Sequence, residues 1–231
     1  MMKPLAKTIA LLLLVLPSRH VRGEPEPFIR AGAIDAIKLL PAPAGVDSDE
    51  VKAELDLVLR LQARRTDKDV AMVRLHDQLG LPSFQSVFGP WLTAQNLPRL
   101  QRLLQSVEKE GKVQGSAAKE HFNRLRPAAV DPRVKPVLEE TNNGYPSGHA
   151  MRGQLFAVIL SELAPDKKAE LLARGQEVGW SRVVGGVHFS SDVTAGRFLA
   201  QAIALELFAS PAFRAELELV KKEFNEARKR N

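Results

Sequence analysis

Three short stretches of this chain combine residue types that could do chemistry together. In SRVVGGVHFSSDV (181–193), Arg182, His188 and Asp192 fall within eleven positions, spaced by apolar residues and by Gly185 and Gly186. A carboxylate that holds the Nδ1 proton of a histidine fixes the ring tautomer and leaves the Nε2 lone pair for nucleophilic or proton-transfer work. In KEHFNRLRP (119–127), Lys119 and Arg126 are seven residues apart, close to two helical turns. That spacing predicts both on one face of a helix that Pro127 ends. In YPSGHAM (145–151), Pro146 and Ser147 are helix-start residues, Gly148 allows a ligand close to the backbone, and His149 falls in the first turn. Free N–H groups at such a helix start bind anions.

Each stretch also has a plain structural explanation. Lys119 and Arg126 suit a solvated helix face, Ser147 an ordinary N-cap, and His188 with Asp192 a local i,i+4 pair. Two histidines and an aspartate are also respectable metal ligands. Yet Lys119, Arg126 and Arg182 would repel a cation and attract an anion. Together the stretches describe a pocket with three permanent positive charges, a helix start, two histidines and one carboxylate.

The elements that must carry these residues read as helices. A capping-box pattern at Asp47 and Glu50 opens a helix with Val51, Leu55, Val58 and Leu59 on one face. Further helices are predicted over about 68–79, from Pro98, over 116–125, 148–163, 166–179, 191–209 and 211–228, with 25–50 as a proline-punctuated irregular leader. Gly148 to Leu163 is apolar nearly all round, the pattern of a buried central helix. No hairpin signal separates alternating runs, so the fold class is all-α, a single globular helical domain over 24–231. His76 and His121 read as structural histidines.

Residues 1–23 read as a cleaved signal peptide: Lys3 and Lys7 precede the apolar run TIALLLLVL (8–16), which Pro17 ends. That run is too short to span a bilayer, which needs about 20 apolar residues. The reading puts the mature protein in the periplasm or outside the cell, with no stable membrane insertion. Lys3, Lys7, Arg19 and Arg22 contribute four of the 33 basic residues; without them the net charge over 27 acidic residues falls from +6 to +2. So small an excess argues against a nucleic-acid partner. The chain has no cysteine, which excludes disulfides and a thiolate nucleophile.

Lys119-x6-Arg126-Pro127, Pro146-Ser147-Gly148-His149 and Ser181-Arg182-x5-His188-x3-Asp192 together resemble the three-part signature of the type 2 phosphatidic acid phosphatase superfamily. Within it the chain most resembles the bacterial class A non-specific acid phosphatases, also in LLPAPAG (39–45), LQARRT (61–66) and GVHFSSDVTAGR (186–197). It departs from that pattern at Ser190, where a proline is expected, and in a short cysteine-free region between Pro127 and Tyr145. The resemblance implies a helix-bundle acid phosphatase that hydrolyses phosphate monoesters of broad structure without metal or other cofactor. It implies His188 as nucleophile through a phosphohistidine, Asp192 as its orienter, and His149 as general acid and base. Lys119, Arg126, Ser147, Gly148 and Arg182 would bind the phosphate. The resemblance further implies small phosphate esters as partners, an acidic pH optimum, and a dimer or larger homo-oligomer. Rival readings are a vanadate-dependent haloperoxidase, a soluble lipid or pyrophosphate phosphatase of the same superfamily, and a non-catalytic phosphate-binding module.

Overall fold

A computed structural model describes residues 26–231. The signal-peptide reading of residues 1–23 lies outside the described residues. Among the described residues ten α-helices follow in chain order: α1 (Ala36–Leu39), α2 (Asp49–Arg64), α3 (Asp67–Asp77), α4 (Gln85–Phe88), α5 (Pro98–Phe122), α6 (Pro127–Val130), α7 (Gly148–Leu163), α8 (Lys168–Val184), α9 (Ser190–Ala209) and α10 (Pro211–Arg230). No strand occurs among the described residues, as the all-α reading expects. None of these helices is long and apolar enough to cross a membrane.

Helix α7 is the centre. Its Leu155, Ile159, Leu160 and Ala157 are wholly buried, and α8 and α9 pack along it while α5 and α10 close the outer side. The α7–α8 crossing depends on missing side chains. A Cβ on Gly153 would lie 2.7 Å from the Val178 side chain, and one on Gly175 would lie 2.8 Å from the Gly153 carbonyl oxygen. Where α9 crosses the start of α7, a methyl on Gly196 would strike the Ser147 carbonyl oxygen. Close crossings of this kind fix the relative positions of three helix ends that together carry most of the charged signature.

Helix starts follow local chemistry with some differences from the sequence reading. Ser48, not Asp47, caps α2: its Oγ accepts from Val51 N at 3.2 Å, leaving Asp49 and Glu50 in the first turn. Thr66 and Asp69 form a reciprocal capping box on α3. The separate helices expected from Pro98 and over 116–125 are one 25-residue helix, α5. Gly111 and Gly115 do not interrupt it because both are buried against neighbouring helices. At its start, Glu223 of α10 accepts from Arg99 N and Leu100 N, each at 2.9 Å, which satisfies two of the unpaired donors of the first turn.

Candidate active site

The structure brings Lys119, Arg126, Ser147, Gly148, His149 and His188 to one cavity of about 300 Å³. Arg182 and Asp192 lie immediately behind its wall, both wholly buried. Four elements meet here: the last turn of α5, the 123–147 connection, the first turn of α7, and the α8–α9 turn.

Two local expectations need correction. Lys119 and Arg126 do not share a helix face. Helix α5 ends at Phe122, and Asn123 adopts the left-handed conformation (φ 44°, ψ 38°) that often terminates helices. Arg126 is therefore extended, at the N-cap of α6. It reaches the pocket because the chain has turned, and the loop secures it: Nε donates to Asn142 O at 2.7 Å and Nη2 to Asn142 Oδ1 at 2.5 Å. Lys119 Nζ is likewise tied to the loop, donating to Asn143 O at 2.6 Å. The second correction concerns α8, expected over 166–179. It begins at Lys168 and continues to Val184, so Arg182 sits in its last turn, wholly buried. Burial of a guanidinium made this stretch look non-helical in sequence, where an isolated interior charge has no explanation.

The turn after α8 aims His188. Gly186 takes φ 73°, a conformation open to glycine but strained for other residues. Val187 N and His188 N both return to Arg182 O, at 3.1 and 3.3 Å. The imidazole then lies between two partners: Nδ1 is 3.1 Å from Asp192 Oδ2, and Nε2 is 3.2 Å from Arg126 Nη1. A guanidinium only donates, so Nε2 is the acceptor and the ring proton belongs on Nδ1. Burial pushes His188 down to about 4, against the raising effect of Asp192; at neutral pH it is the free base.

Asp192 is held in turn. Oδ2 also accepts from Phe189 N at 2.9 Å, and Oδ1 accepts from Arg124 Nη1 at 2.9 Å. Burial alone would raise its pKa, but the bond from His188, the charges of His188 and Arg124, and the Phe189 N–H together hold it low. Arg124 stacks over the Phe189 ring and donates through Nη2 to Glu54 on α2 at 2.8 Å. Glu54 also accepts from Ser190 Oγ, Ser191 N and Ser191 Oγ. The serine at the position where proline was expected thus has a hydroxyl in use.

The cations carry internal counter-ions that the sequence did not reveal. Arg182 Nη2 donates to Glu140 at 2.6 Å and Nη1 to Asp77 at 3.3 Å; Arg126 Nη2 is 3.4 Å from Glu140. Lys119 is pushed down to about 8, by burial first and then by the charge of Arg126. Ser147 caps α7, its Oγ accepting from Ala150 N at 3.4 Å, and its N–H donates to Asp192 O at 2.9 Å. That bond locks the start of α7 to the start of α9. His149 projects from the first turn, with Nε2 3.2 Å from the Asp77 carbonyl oxygen. Burial, then Arg182 and Arg152, push its pKa down to about 2.

Glu140, Asp77, Arg124 and Glu54 escaped the sequence reading. Arg124 left a trace, standing between Lys119 and Arg126 in a basic stretch; the carboxylates come from unpatterned positions on other elements.

Of the other histidines read as structural, His76 is wholly buried and neither ring nitrogen has a partner among the described residues. His121 packs edge-on against Phe122.

A helical core with a cationic pocket at converging helix ends, holding a histidine–aspartate pair, is a site suited to an anion. The PAP2 superfamily model matches residues 111–215. The non-specific acid phosphatase of Providencia stuartii is 32% identical over 92% of this chain and 91% of its own length. That of Salmonella typhimurium is 36% identical over 62% of this chain and 60% of its own, and an acid phosphatase of Zymomonas mobilis is 36% identical over 67% and 60%. This chain belongs to the PAP2 superfamily, in the group of its non-specific acid phosphatases. Among solved structures, a bacterial vanadium-dependent iodoperoxidase shares the fold at TM-score 0.58 and 16% identity, over 76% of this chain and 53% of that one. A transmembrane PAP2-type phosphatidylglycerolphosphate phosphatase from Bacillus subtilis does so at TM-score 0.50 and 21% identity, over 69% and 85%.

Proposed function

We propose that this protein is an exported acid phosphatase that hydrolyses phosphate monoesters of broad structure through a phosphohistidine at His188, without a metal. The observation that carries this reading is the pair of contacts on His188. Asp192 holds the Nδ1 proton, and Arg126 marks where the Nε2 lone pair points, into a cavity walled by cations. An anion seated there takes over the Arg126 donor, so the nucleophile and the phosphate are brought together by the same displacement.

In the first step Nε2 attacks phosphorus and the bond to the ester oxygen breaks. Asp192 stabilises the positive charge that develops on the imidazole. Lys119, Arg126 and Arg182 meet the charge on the three non-bridging oxygens, with the Ser147 hydroxyl and the Gly148 N–H adding donors at the helix start. His149 protonates the departing alkoxide. Water then attacks phosphorus, His149 takes its proton, and the P–N bond electrons return to Nε2.

This role asks His149 to hold a proton, whereas burial and the surrounding guanidinium groups disfavour one. A phosphate dianion beside it opposes that field and raises its proton affinity. Ester binding and protonation of His149 are therefore coupled, which supports an acidic optimum with a bell-shaped profile.

The test is phosphate release from p-nitrophenyl phosphate in excess chelator, for wild type and His188→Ala. Turnover in wild type, lost in the variant with its melting temperature unchanged, is expected. Turnover that chelator abolishes, or that survives the substitution, would overturn the reading.

A further inference from the structure

The catalytic cavity continues outward to a second pair of cations that the mechanism above does not use. Lys112 precedes Lys119 by seven residues on α5, so it lies about 10 Å further out along the same side of the helix. Arg152 follows His149 by three residues on α7. Both line the cavity, as do Gly111, Gly115 and Ser116 of α5.

A single carboxylate serves both cations. Glu108 Oε1 accepts from Arg152 Nη1 at 2.5 Å and from Lys112 Nζ at 2.8 Å, so the group keeps one net positive charge. Arg152 is the more buried member, its side chain 13% exposed, while Lys112 is 64% exposed at the mouth. Among the described residues Nη1 is the one donor atom of Arg152 that meets a protein acceptor, so Nη2 and Nε have none. The charge of Arg152 also reaches the reaction centre, where it is one of the causes that depress His149. The pairing with Glu108 thus leaves two donor atoms of a half-buried guanidinium at the cavity lining for an acceptor on a bound ester.

We propose that Arg152 and Lys112 form a subsite for a second anionic group, carboxylate or phosphate, carried by the leaving alcohol. The preferred substrates are then phosphate monoesters whose alcohol is itself anionic at its far end. This rests on the phosphatase reading above. While the clamp holds the reacting phosphate, the planar donor edge of Arg152 pairs with the distal group, and Lys112 adds a screened attraction at the mouth.

The experiment compares kcat/KM for gluconate 6-phosphate and sorbitol 6-phosphate, open-chain esters that differ at C1 by a carboxylate in place of a hydroxymethyl group. The purified wild-type protein is measured at low salt beside Arg152→Gln and Lys112→Gln. Because the readout is the ratio between two esters, a general change in turnover cancels. The expected wild-type ratio is about tenfold in favour of gluconate 6-phosphate, the size of one charge-assisted hydrogen bond. It should fall to about one in Arg152→Gln and partway in Lys112→Gln, whose exposed site keeps the test open if the first variant does not fold. Sorbitol 1,6-bisphosphate, rated per ester group, then tells a phosphate-preferring subsite from a carboxylate-preferring one. A wild-type ratio near one, or a ratio unmoved in the folded variants, overturns the subsite and leaves the phosphatase reading standing. No phosphate released from any ester overturns both.

Discussion

Replacing Asp192 by asparagine removes one charge and almost no volume, and the structure says what each orientation of the amide costs. The carboxylate accepts three hydrogen bonds: Oδ2 from His188 Nδ1 and Phe189 N, Oδ1 from Arg124 Nη1. If the amide nitrogen takes the Oδ2 position, it faces the Phe189 N–H and forces His188 to accept at Nδ1. The ring proton then moves to Nε2, and the nucleophile is blocked. If the nitrogen instead takes the Oδ1 position, it faces the Arg124 guanidinium, donor against donor, and the buried cation keeps only Glu54 and Ser191. In the first orientation Nε2–H would also face Arg126 Nη1, donor against donor. Leaving a buried polar group unpaired costs about 1–3 kcal/mol, more for a charged one, so the blocked tautomer competes once a bound phosphate oxygen accepts from Nε2–H. Even in the catalytic tautomer, the developing imidazolium lacks its counter-charge. We expect kcat for p-nitrophenyl phosphate to fall by about 10³–10⁴-fold, the size of effect such a substitution has in a serine-hydrolase triad. The folded fraction, followed by circular dichroism at the assay temperature, should be unchanged. The assay is steady-state phosphate release from pH 4 to 8, with folding checked at each pH. A folded Asp192→Asn protein that retains a tenth or more of wild-type kcat would refute the tautomer reasoning.

Three other perturbations have clear expected outcomes. His76 is buried without a partner for either ring nitrogen, and burial first, then Arg174, push it down to about 4. The unfolded chain therefore binds its proton first on acidification, so stability is full above pH 6.5 and declines as pH falls toward 4, by up to about 3 kcal/mol from this group. His76→Leu should shrink the drop in melting temperature between pH 7 and 4.5, and an equal drop would discount the assignment. Glu140 occupies donors of Arg182 and Arg126; Glu140→Gln should lower the melting temperature in phosphate-free buffer and enlarge the stabilisation that added phosphate gives, read by thermal shift against wild type. Gly196→Ala puts a methyl against the Ser147 carbonyl oxygen at the α7–α9 crossing. A loss of about 2–3 kcal/mol is expected in denaturant unfolding, together with lower phosphate affinity because the crossing sets the start of α7.

The sequence by itself picked out Lys119, Arg126, Ser147, Gly148, His149 and His188, which the fold brings to one cavity, and the main helices. Both are matters of local spacing: His188 and Asp192 are an i,i+4 pair, Ser147 and Gly148 open a helix whose apolar run has no polar face, and caps such as that of α3 are written within four residues. Tertiary structure decided how those residues meet. Arg126 reaches the cavity from an extended segment after the left-handed turn at Asn123, and not from a shared helix face with Lys119. Arg182 belongs to α8, because Glu140 and Asp77 from distant elements compensate a charge that the surrounding sequence cannot. Arg124 and Glu54, from an interhelical segment and from α2, complete the support of Asp192 across separations of 68 and 70 residues. Periodicity records which face of a helix is apolar; it does not record which carboxylate on another element will neutralise a buried cation. That pairing exists only once the helices have packed and water has been excluded, since only then does an unpaired charge cost enough to select its partner.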